Sequence, residues 1–436
     1  MPFPINVDTT YHGGPIPTRV GPWATAAAIR YLIYHGPNGV QGGGDTLAAM
    51  KSIDNGQTWV AMDQANAPSL ANAFNPYSSC YDGAGKIWTI YIDSTNKLKA
   101  VSFDTTIGMD KWGLVHSSGI TIAPGDGLQY MSSCFRSADG LIPFVTHVGS
   151  VAVGLNTCFL SSFGTFDPGS NTFSALVAMG NIDLGAFDQA VIPIRMIEGA
   201  GGLIHVALIQ NGESFPADCQ LMVQSFNVAG VLGFVDLIAS TLGTFLLDPV
   251  CDMVYDSSVG KVTLFYARFD SGGSGNLDDT TITILRGASL LTIIFGAFGT
   301  ITSTEAILTL GLAAAISPGG VIDAFWVADD TLGAFDFFVA VAMAAISLVG
   351  NTALFNLDGL AAVLFSDTSY GLAWGDEYWE VAAAPAPVVV NVLSPLLMIF
   401  PFPAMADCCY PMVSCVRRSK DGKVYVPSKG ILKRGY

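Results

Sequence analysis

A short polar turn lies between two apolar segments near the start of the chain, with the sequence Ser52-Ile53-Asp54-Asn55-Gly56-Gln57-Thr58-Trp59. In such a turn the Asp54 carboxylate can cap backbone N–H groups, and Gly56 supplies a backbone with positive φ. Trp59 opens the next apolar segment, so we expect its ring to be buried beside the turn. The stretch predicts a tight hairpin between two antiparallel strands, a structural clasp that carries no chemistry.

A repeated unit follows this hairpin along the chain. It consists of an apolar strand, a turn that contains Asp or Ser and ends in Gly, and a second apolar or aromatic strand. Self-similarity at such a period is typical of propellers and solenoids. Clear copies are Ser79–Trp88, Cys134–Pro143, Met196–His205, Val254–Val262 and Val416–Tyr425, and weaker ones are Ile316–Ile322 and Phe365–Leu372. The turn glycines are Gly85, Gly140, Gly202, Gly260, Gly320, Gly371 and Gly422.

The spacing of these glycines, about 50 to 60 residues, suits a blade of four strands with its loops. We therefore predict an all-β fold: a single β-propeller over residues 1–436 with about seven four-stranded antiparallel blades, within a range of six to eight. Residues 1–23 would form an N-terminal arm and residues 24–64 the first blade. Strands in residues 405–436, at 413–416 or 423–426, would complete that first blade and close the ring, which removes open sheet edges.

The turn at residues 52–59 matches the Asp-box pattern Ser-x-Asp-x-Gly-x-Thr-Trp at all five defined positions, Ser52, Asp54, Gly56, Thr58 and Trp59. The chain thereby resembles the sialidase-like superfamily of Asp-box propellers, over eight residues. The resemblance implies the propeller fold and a structural role for these five residues. We interpret Thr105–Trp112 as a decayed second copy.

Resemblance to sialidases also implies an arginine triad, a Tyr nucleophile with a Glu partner, and an Asp acid. The chain has nine arginines, and none occupies the Phe/Tyr-Arg-Ile-Pro context expected of that triad; Phe135-Arg136-Ser137-Ala138 comes nearest. A strand arginine usually covers apolar surface and meets a carboxylate, so we expect structural roles and no catalytic residues. The arginines on candidate strands are Arg30, Arg136, Arg195 and Arg268.

Charge argues against nucleic acid as a partner. The chain carries 19 Lys and Arg against 35 Asp and Glu, a formal charge of −16, whereas phosphate binding needs clustered cations. Residues 287–416 contain no Lys or Arg, and the basic residues of the terminus cluster between Arg417 and Arg434. This basic terminus could pair with acidic surface of its own fold or of a neighbouring subunit, or it could be a solvated tail.

Two stretches, 337–356 and 381–406, are long and uncharged, and the mean hydropathy is +0.48. Polar residues in the first and five prolines in the second disfavour spanning helices, so we predict no membrane span. Residues 1–6 have neither the basic region nor the apolar core of a signal peptide. We expect synthesis in the cytoplasm without export.

No metal site or cofactor site is indicated. The eight cysteines show no CxxC spacing, and those before turn glycines, such as Cys80 and Cys134, read as small core residues. The histidines show no paired spacing, so neither a metal site nor a Ser/His pair is predicted. They are His12, His35, His116, His147 and His205.

Three functions remain open. The one we favour is a non-catalytic structural subunit of a large assembly, because apolar content is high, charge is segregated and no catalytic constellation can be assembled. Propellers of this kind resemble tail nozzle and fibre-associated proteins of bacteriophages, which implies a virion assembled in the host cytoplasm, protein partners or a homo-oligomer, and contact with a host-surface glycan. The alternatives are a sialidase-like glycoside hydrolase and a carbohydrate-binding propeller, in which tryptophans would stack on sugars. The candidate tryptophans are Trp88, Trp112, Trp326, Trp374 and Trp379.

Overall fold

The structure is a computed structural model. It describes residues 5–7, 21–37, 45–70, 76–122, 131–153, 156–179, 190–211, 220–240, 251–267, 281–302, 306–317, 320–329, 335–343, 345–352, 361–366, 369–374, 377–382, 417–418 and 424–425. The chain divides into two compact units, Met1–Pro387 and Val388–Tyr436. The second unit shows one described pair of strands, and the first contains all the sheets discussed below. That residues 1–436 form one domain stays a prediction.

The first unit begins with a two-residue strand, β1 (Ile5–Asn6), and continues as antiparallel arrays of strands that we number as blades in chain order. Blade 1 consists of β2 (Trp23–Ala26), β3 (Ile29–Pro37), β4 (Asp45–Ser52) and β5 (Val60–Met62). Blade 2 consists of β6 (Tyr77–Tyr81), β7 (Lys86–Ile92), β8 (Lys97–Asp104) and β10 (His116–Thr121), with the short β9 (Lys111–Trp112) also paired to β8. Blade 3 consists of β11 (Met131–Ser133), β12 (Ile142–Val153) and β13 (Asn156–Asp167), edged by β14 (Thr172–Phe173) and β15 (Val177–Ala178).

The remaining blades repeat the same up-and-down order. Blade 4 consists of β16 (Ala190–Glu198), β17 (Ile204–Asn211), β18 (Gln220–Phe226) and β19 (Leu232–Ser240). Blade 5 consists of β20 (Cys251–Asp256), β21 (Lys261–Ala267), β22 (Thr281–Ala288) and β23 (Phe295–Thr302). Blade 6 consists of β24 (Ala306–Ile316), β25 (Ile322–Asp329), β26 (Phe335–Val341) and β27 (Ala345–Thr352). Blade 7 consists of β28 (Ala361–Ser366), β29 (Ser369–Trp374), β30 (Glu377–Ala382) and β1.

The first unit is an all-β propeller, as predicted. Its described strands form six hydrogen-bonded sheets of four or more strands. One of these, the nine-stranded sheet, contains both blade 3 and blade 4, which are joined by a single parallel pair between Phe159 and Ala190. Counted as sheets the blades number six and counted as antiparallel arrays they number seven, and both values lie in the predicted range.

Helix is nearly absent from the described residues, where the helical segments are the 3-10 turns Gln64–Asn66 and Ala200–Gly202. None of the described helical segments has the length and apolar character needed to cross a membrane. The uncharged stretch that begins at Phe337 is built of two strands, β26 and β27. In β26 the consecutive residues Phe338, Val339 and Ala340 are all buried, so both faces of this strand are packed.

The ring closes at the N-terminus of the chain. First strands of successive blades contact one another in the order β6, β11, β16, β20, β24, β28 and β2. The edge of β30 pairs with β1 through Ile5–Tyr378 and Asn6–Glu377. Blade 1 takes its four described strands from residues 23–62, and that strands in residues 405–436 complete it stays a prediction. The described strands of the expected closing segment, β31 (Arg417–Arg418) and β32 (Val424–Tyr425), pair with each other, and residues 413–416 lie outside the described part.

The core lies between neighbouring blades. In blade 2, β7 is buried at every residue after Lys86, on both faces of the sheet, because blades 1 and 3 cover those faces. The outer strand β10 instead alternates between partly buried and exposed residues. A strand covered on both faces needs apolar side chains at consecutive positions. This packing accounts for much of the apolar content that the sequence shows.

The turn glycines occupy equivalent places, as the repeat predicts. Gly85, Gly140, Gly202, Gly260 and Gly320 all have positive φ and end the turns between the first and second strands of blades 2–6. Gly371 instead lies inside β29, and Gly422 lies outside the described residues. These turns and those between third and fourth strands lie on one side of the ring, which we call the turn face.

Candidate functional site

The Asp-box turn of blade 1 is held by its own side chains. Ser52 Oγ donates to Asp54 Oδ1 over 2.7 Å and accepts the N–H of Gly56 over 2.8 Å. Asp54 also accepts from Thr58, through the backbone N–H at 2.8 Å and through Oγ1 at 2.7 Å. These bonds form a closed network of three side chains around the turn. The hydrogen bonds, first those from Thr58 and then that from Ser52, lower the pKa of Asp54 to about 2.

The Asp-box turn packs against blade 7 through Trp59 and Gly56. The Trp59 indole N–H donates to the Gly56 carbonyl over 3.0 Å, and its ring meets Tyr378 edge-on at 5.1 Å between centroids. Trp59 is partly buried rather than fully buried, because it lies at the rim of the core. Gly56 has φ of +77°, and an added Cβ would collide with the Tyr378 ring. The turn therefore fastens two blades and offers no reactive group.

Arg30 lies behind this turn and ties blade 1 to blade 7. Its Nη2 donates to Asn55 Oδ1 and to Glu380 Oε1, each over 3.1 Å. Its guanidinium also lies 4.0 Å from the centre of the Phe365 ring, on the first strand of blade 7. Arg30 is nearly fully buried, so this arginine is a structural link across the closure of the ring.

The other three arginines whose side chains are described are also paired with carboxylates. The fully buried Arg136 meets Asp139 at 2.7 Å, and Arg286 lies 3.9 Å from Asp256. Arg195 lies 2.6 Å from Asp252. Arg136 lies in blade 3, whereas Arg195 and Arg286 meet different carboxylates of β20, so the described side chains bring no arginine triad together. Arg268 lies outside the described residues.

Tyr31 and Asp110 form one of the phenol–carboxylate pairs that the sequence alone did not reveal. Tyr31 Oη donates to Asp110 Oδ1 over 2.6 Å, and Lys51 Nζ meets Asp110 Oδ2 at 2.7 Å. Burial, and then the bond to Asp110, raises the pKa of Tyr31, whose exposed fraction is 1%. A nucleophilic phenol needs access and a lowered pKa. The pair therefore joins blade 2 to blade 1, and the decayed Asp box that holds Asp110 was its only signal.

His205 forms a buried polar link between blades 4 and 5. Its Nδ1 is 2.7 Å from Ser225 Oγ and its Nε2 is 2.8 Å from Ser289 Oγ. Ser289 Oγ also accepts the N–H of Ala200 over 2.9 Å. Burial lowers the pKa of His205 to about 4. All three side chains are inaccessible, so this Ser-His-Ser arrangement holds two blades together and cannot reach a substrate.

The histidines and cysteines, for which the sequence predicts structural roles, lie at buried, partly buried or undescribed positions. His116 packs between Trp88 and Phe166, and burial lowers its pKa. The side chains of His35 and His147, and all of His12, lie outside the described part. The described part of the chain contains no group of three His, Cys, Asp or Glu side chains able to hold a metal ion. The cysteines whose side chains are described are buried: Cys80, Cys134 and Cys251.

The tryptophans proposed as sugar platforms are core residues. Trp88, Trp112, Trp326 and Trp379 are all buried, and Trp326 stacks on Phe338 at 5.6 Å. The side chain of Trp374 is not among those described. Aromatic stacking on these four rings would require the blades to separate, so sugar binding cannot use them.

Polar side chains on the first strands link neighbouring blades around the axis of the ring. Ser133 Oγ donates to Ser78 Oγ over 2.9 Å, and both serines are buried. Asp252 accepts the N–H of Ala314 in blade 6 over 2.8 Å and contacts Arg195 of blade 4. Ser78, Ser133 and Arg195 each precede their turn glycine by seven residues, so they lie at one level. We call Arg195 and Asp252 the axial pair.

Solvent reaches the axial pair mainly at Arg195. The Arg195 side chain is 16% exposed and the Asp252 side chain 8%, whereas the two serines are nearly inaccessible. A guanidinium beside a carboxylate offers hydrogen-bond donors and acceptors together. Among the described residues with polar chemistry, the axial pair is the candidate binding site.

Comparison with solved structures supports the propeller fold. No protein-family profile matches the sequence, and no curated protein matches it either. Among solved structures, an ulvan lyase described as a new family of polysaccharide lyase matches with a TM-score of 0.50 and 10% identity, covering 88% of this chain and 96% of that one. The same lyase bound to -[GlcA(1-4)Rha3S]- also matches with a TM-score of 0.50, at 11% identity over the same shares.

A microbial sialidase, described as Hadza Hz136, is similar over 71% of this chain and 65% of its own, with a TM-score of 0.45 and 10% identity. At 10% identity, the similarity to the ulvan lyase is evidence for the arrangement of the backbone and not for a shared function. The chain has a β-propeller fold, and the ulvan lyase has a similar backbone arrangement.

Proposed function

We propose that this protein is a carbohydrate-binding β-propeller without catalytic activity. The observation that carries the proposal is the axial pair, a partly exposed Arg–Asp pair on the innermost strands of the ring. The fold supports it, since an ulvan lyase, named for a polysaccharide, has the same arrangement over most of both chains. A sugar ligand needs a few converging polar groups at a concave place on a rigid scaffold.

The chemistry of the described residues favours binding over catalysis. The described phenols whose pKa is most affected, those of Tyr31, Tyr91, Tyr370 and Tyr378, are buried and have raised pKa values. His205 has both ring nitrogens engaged with serines. General acid–base or nucleophilic catalysis requires groups that can reach the substrate and exchange a proton with it. These groups stabilise the fold instead.

A glycan array followed by calorimetry on the purified full-length chain tests the proposal. The same preparation is offered a fluorogenic sialoside and an ulvan oligosaccharide, and release of product is followed. Binding to at least one glycan without turnover supports the proposal. Turnover of either substrate would establish an enzyme, and the absence of binding to any glycan would also overturn the proposal.

A second candidate, the assembly subunit predicted from the sequence, is favoured by the turn face. Large apolar side chains are exposed in its turns, with Ile107 93% exposed. Clusters of exposed apolar residues on one face mark interaction surfaces. The exposed residues in these turns are Ile53, Ile107, Met109, Val228, Val231, Val259, Leu290 and Ile294. Incorporation into a virion is the finer form of this candidate.

Light scattering during sizing chromatography tests the second candidate. The variant I107E/I294E adds charge to two different blades of the turn face, and V60E/V177E adds the same charge to the outer strands as a control. A discrete multimer that dissociates only in the first variant would support an assembly surface. A monomer at all concentrations would count against it.

A further inference from the structure

The propeller unit is strongly acidic. Residues 1–387 contain 12 Lys and Arg against 33 Asp and Glu, a formal charge of −21, whereas residues 388–436 contain seven against two, a charge of +5. A field of one sign lowers the local concentration of ligands with the same sign. Such repulsion acts within a Debye length, about 8 Å at physiological ionic strength. An anionic polysaccharide must therefore find a specific cationic site to offset it.

The four arginines whose side chains the structure describes do not supply such a site. All four lie beside a carboxylate: Arg30 beside Glu380, Arg136 beside Asp139, Arg195 beside Asp252, and Arg286 beside Asp256. A ligand carboxylate or sulfate would have to displace the internal carboxylate, which would then be left unpaired. Leaving a partly buried charge without a partner is strongly unfavourable. The pairing thus disfavours anionic sugars at each of these four positions.

The axial pair suits an uncharged sugar. A sugar hydroxyl both donates and accepts, so one hydroxyl can donate to Asp252 while a neighbouring one accepts from Arg195, and the ion pair stays intact. The ulvan lyase binds a ligand of another kind than the neutral sugar considered for the axial pair. Its bound repeat, -[GlcA(1-4)Rha3S]-, contains a glucuronic acid. A shared backbone arrangement does not carry over the charge of the ligand.

We propose that the ligand of this propeller is a neutral glycan and that Arg195 and Asp252 bind it through paired hydroxyls. This inference rests on the proposed carbohydrate-binding function and narrows it to one substrate class. Charge selects against uronic, sulfated and sialylated sugars, and the axial pair supplies the polar contacts.

Matched glycans that differ only in charge provide the test. Each neutral oligosaccharide on the array is paired with its sialylated form, and a uronic acid oligomer is paired with its carboxyl-reduced form. We expect the neutral member to bind about tenfold or more tightly, with an affinity that changes little between about 0.05 M and about 0.5 M salt. Tighter binding of the anionic member would overturn this inference and leave the carbohydrate-binding function standing. Binding of neither member would overturn both.

Two variants with matched controls test the site. Arg195→Met should weaken neutral-glycan binding about tenfold or more, whereas Arg286→Met, which removes an equal charge from a third strand, should change it less than about twofold. Asp252→Asn leaves Arg195 without its carboxylate, so we expect it to gain affinity for the anionic member of each pair. Asp256→Asn, beside Arg286, is the control for that gain.

Thermal unfolding of each variant shows that the ring is intact before binding is compared. A folded Arg195→Met protein that binds neutral glycans as the wild type does would overturn the assignment to the axial pair. A folded Asp252→Asn protein with no gain for anionic glycans would overturn the charge argument.

Discussion

Blades 1 and 2 carry the same eight-residue turn, 52–59 and 105–112, and hold it in different ways. The first closes on itself through Asp54, which bonds Ser52 and Thr58 within the turn. The second has Ile107 at the place of Asp54 and keeps its carboxylate three residues later, at Asp110. Asp110 bonds Tyr31 and Lys51, both of blade 1. The Asp54 carboxylate thus bonds only within its own turn, whereas the Asp110 carboxylate links its turn to the neighbouring blade.

The residues with positive φ also differ between the two turns. Blade 1 has positive φ at Asn55 and Gly56, whereas blade 2 has it at Gly108 and Asp110. Thr105 stands at the place of Ser52 but bonds a residue outside its own turn. Its Oγ1 donates to the Gly85 carbonyl over 2.8 Å. A turn that loses its internal cap remains folded when a neighbour supplies the bonds.

Blade 5 provides a third version of this turn. Its first residue, Ser289, donates its N–H to the Gly260 carbonyl, as Thr105 does to Gly85. Its side chain is bonded by His205 of blade 4. The turn between the third and fourth strands therefore recurs at the same place in the three blades, whereas the residues that stabilise the turn differ.

Replacing Gly56 should have the largest effect of the changes considered. Gly56→Ala combines a strained φ of +77° with a collision against Tyr378, so we expect a loss of about 4 kcal/mol in the free energy of unfolding. Gly108→Ala in blade 2 is the matched control, since its φ is +84° but no atom lies within 4 Å of the added Cβ. It should cost about 1 kcal/mol. Urea unfolding measures both, and equal losses would contradict the difference between the turns.

His205 should make the blade 5 link sensitive to acid. Its folded pKa of about 4 lies below its ordinary value, so the unfolded chain takes up the proton first as the pH falls. The stabilisation is complete above about pH 6.5 and is lost as the pH falls towards 4, by roughly 3 kcal/mol. His205→Gln retains a donor and an acceptor but does not titrate. Urea unfolding across this range should show a smaller acid loss in the variant, and parallel curves would contradict the prediction.

A double-mutant cycle can isolate the link between blades 1 and 2. Tyr31→Phe and Asp110→Ala should be coupled by about 1 kcal/mol, because each removes the same 2.6 Å hydrogen bond. Tyr31→Phe and Asp54→Ala share no bond and should be additive within about 0.5 kcal/mol. Coupling of Asp54 with Tyr31 would show that the blade 1 turn is not self-contained.

Asp54 should give the smallest effect. Its pKa of about 2 lies below the ordinary value of 3.8, so its contribution is present above about pH 3.8 and is lost as the pH falls through 2. The carboxylate is exposed to solvent, so the change is small. The difference in melting temperature between the wild type and Asp54→Asn should shrink over this range. A difference that stays constant to pH 2 would show that the hydrogen bonds do not depend on the charge.

The fold could be predicted because its signals are local. A turn glycine with positive φ acts within a few residues, and five of the seven glycines identified by spacing occupy the same turn of successive blades. Gly371 was assigned from one of the two weaker copies of the repeat and lies inside a strand instead. Closure could not be predicted, because the closing strand Ile5–Asn6 has two residues and no repeated pattern.

The candidate site was only partly visible in the sequence. Arg195 was recognised as a strand arginine, and its spacing to Gly202 matched that of Ser78 to Gly85. Asp252, its partner, belongs to the next blade, and no sequence feature near Cys251 indicated that Asp252 would pair with Arg195. A pairing between residues 57 positions apart has no periodic signal, since it depends on how two blades are placed.

The sequence by itself determined the turns, the strand-rich repeat and the acidic balance of this protein, because turn geometry, strand propensity and charge depend on each residue and its near neighbours. The tertiary structure decided which strand closes the ring, which carboxylate each arginine meets, and which tryptophans are hidden between blades. These outcomes depend on contacts between blades that are distant in the chain. Packing the blades around one axis brings Arg195 to Asp252 and Asp110 to Tyr31.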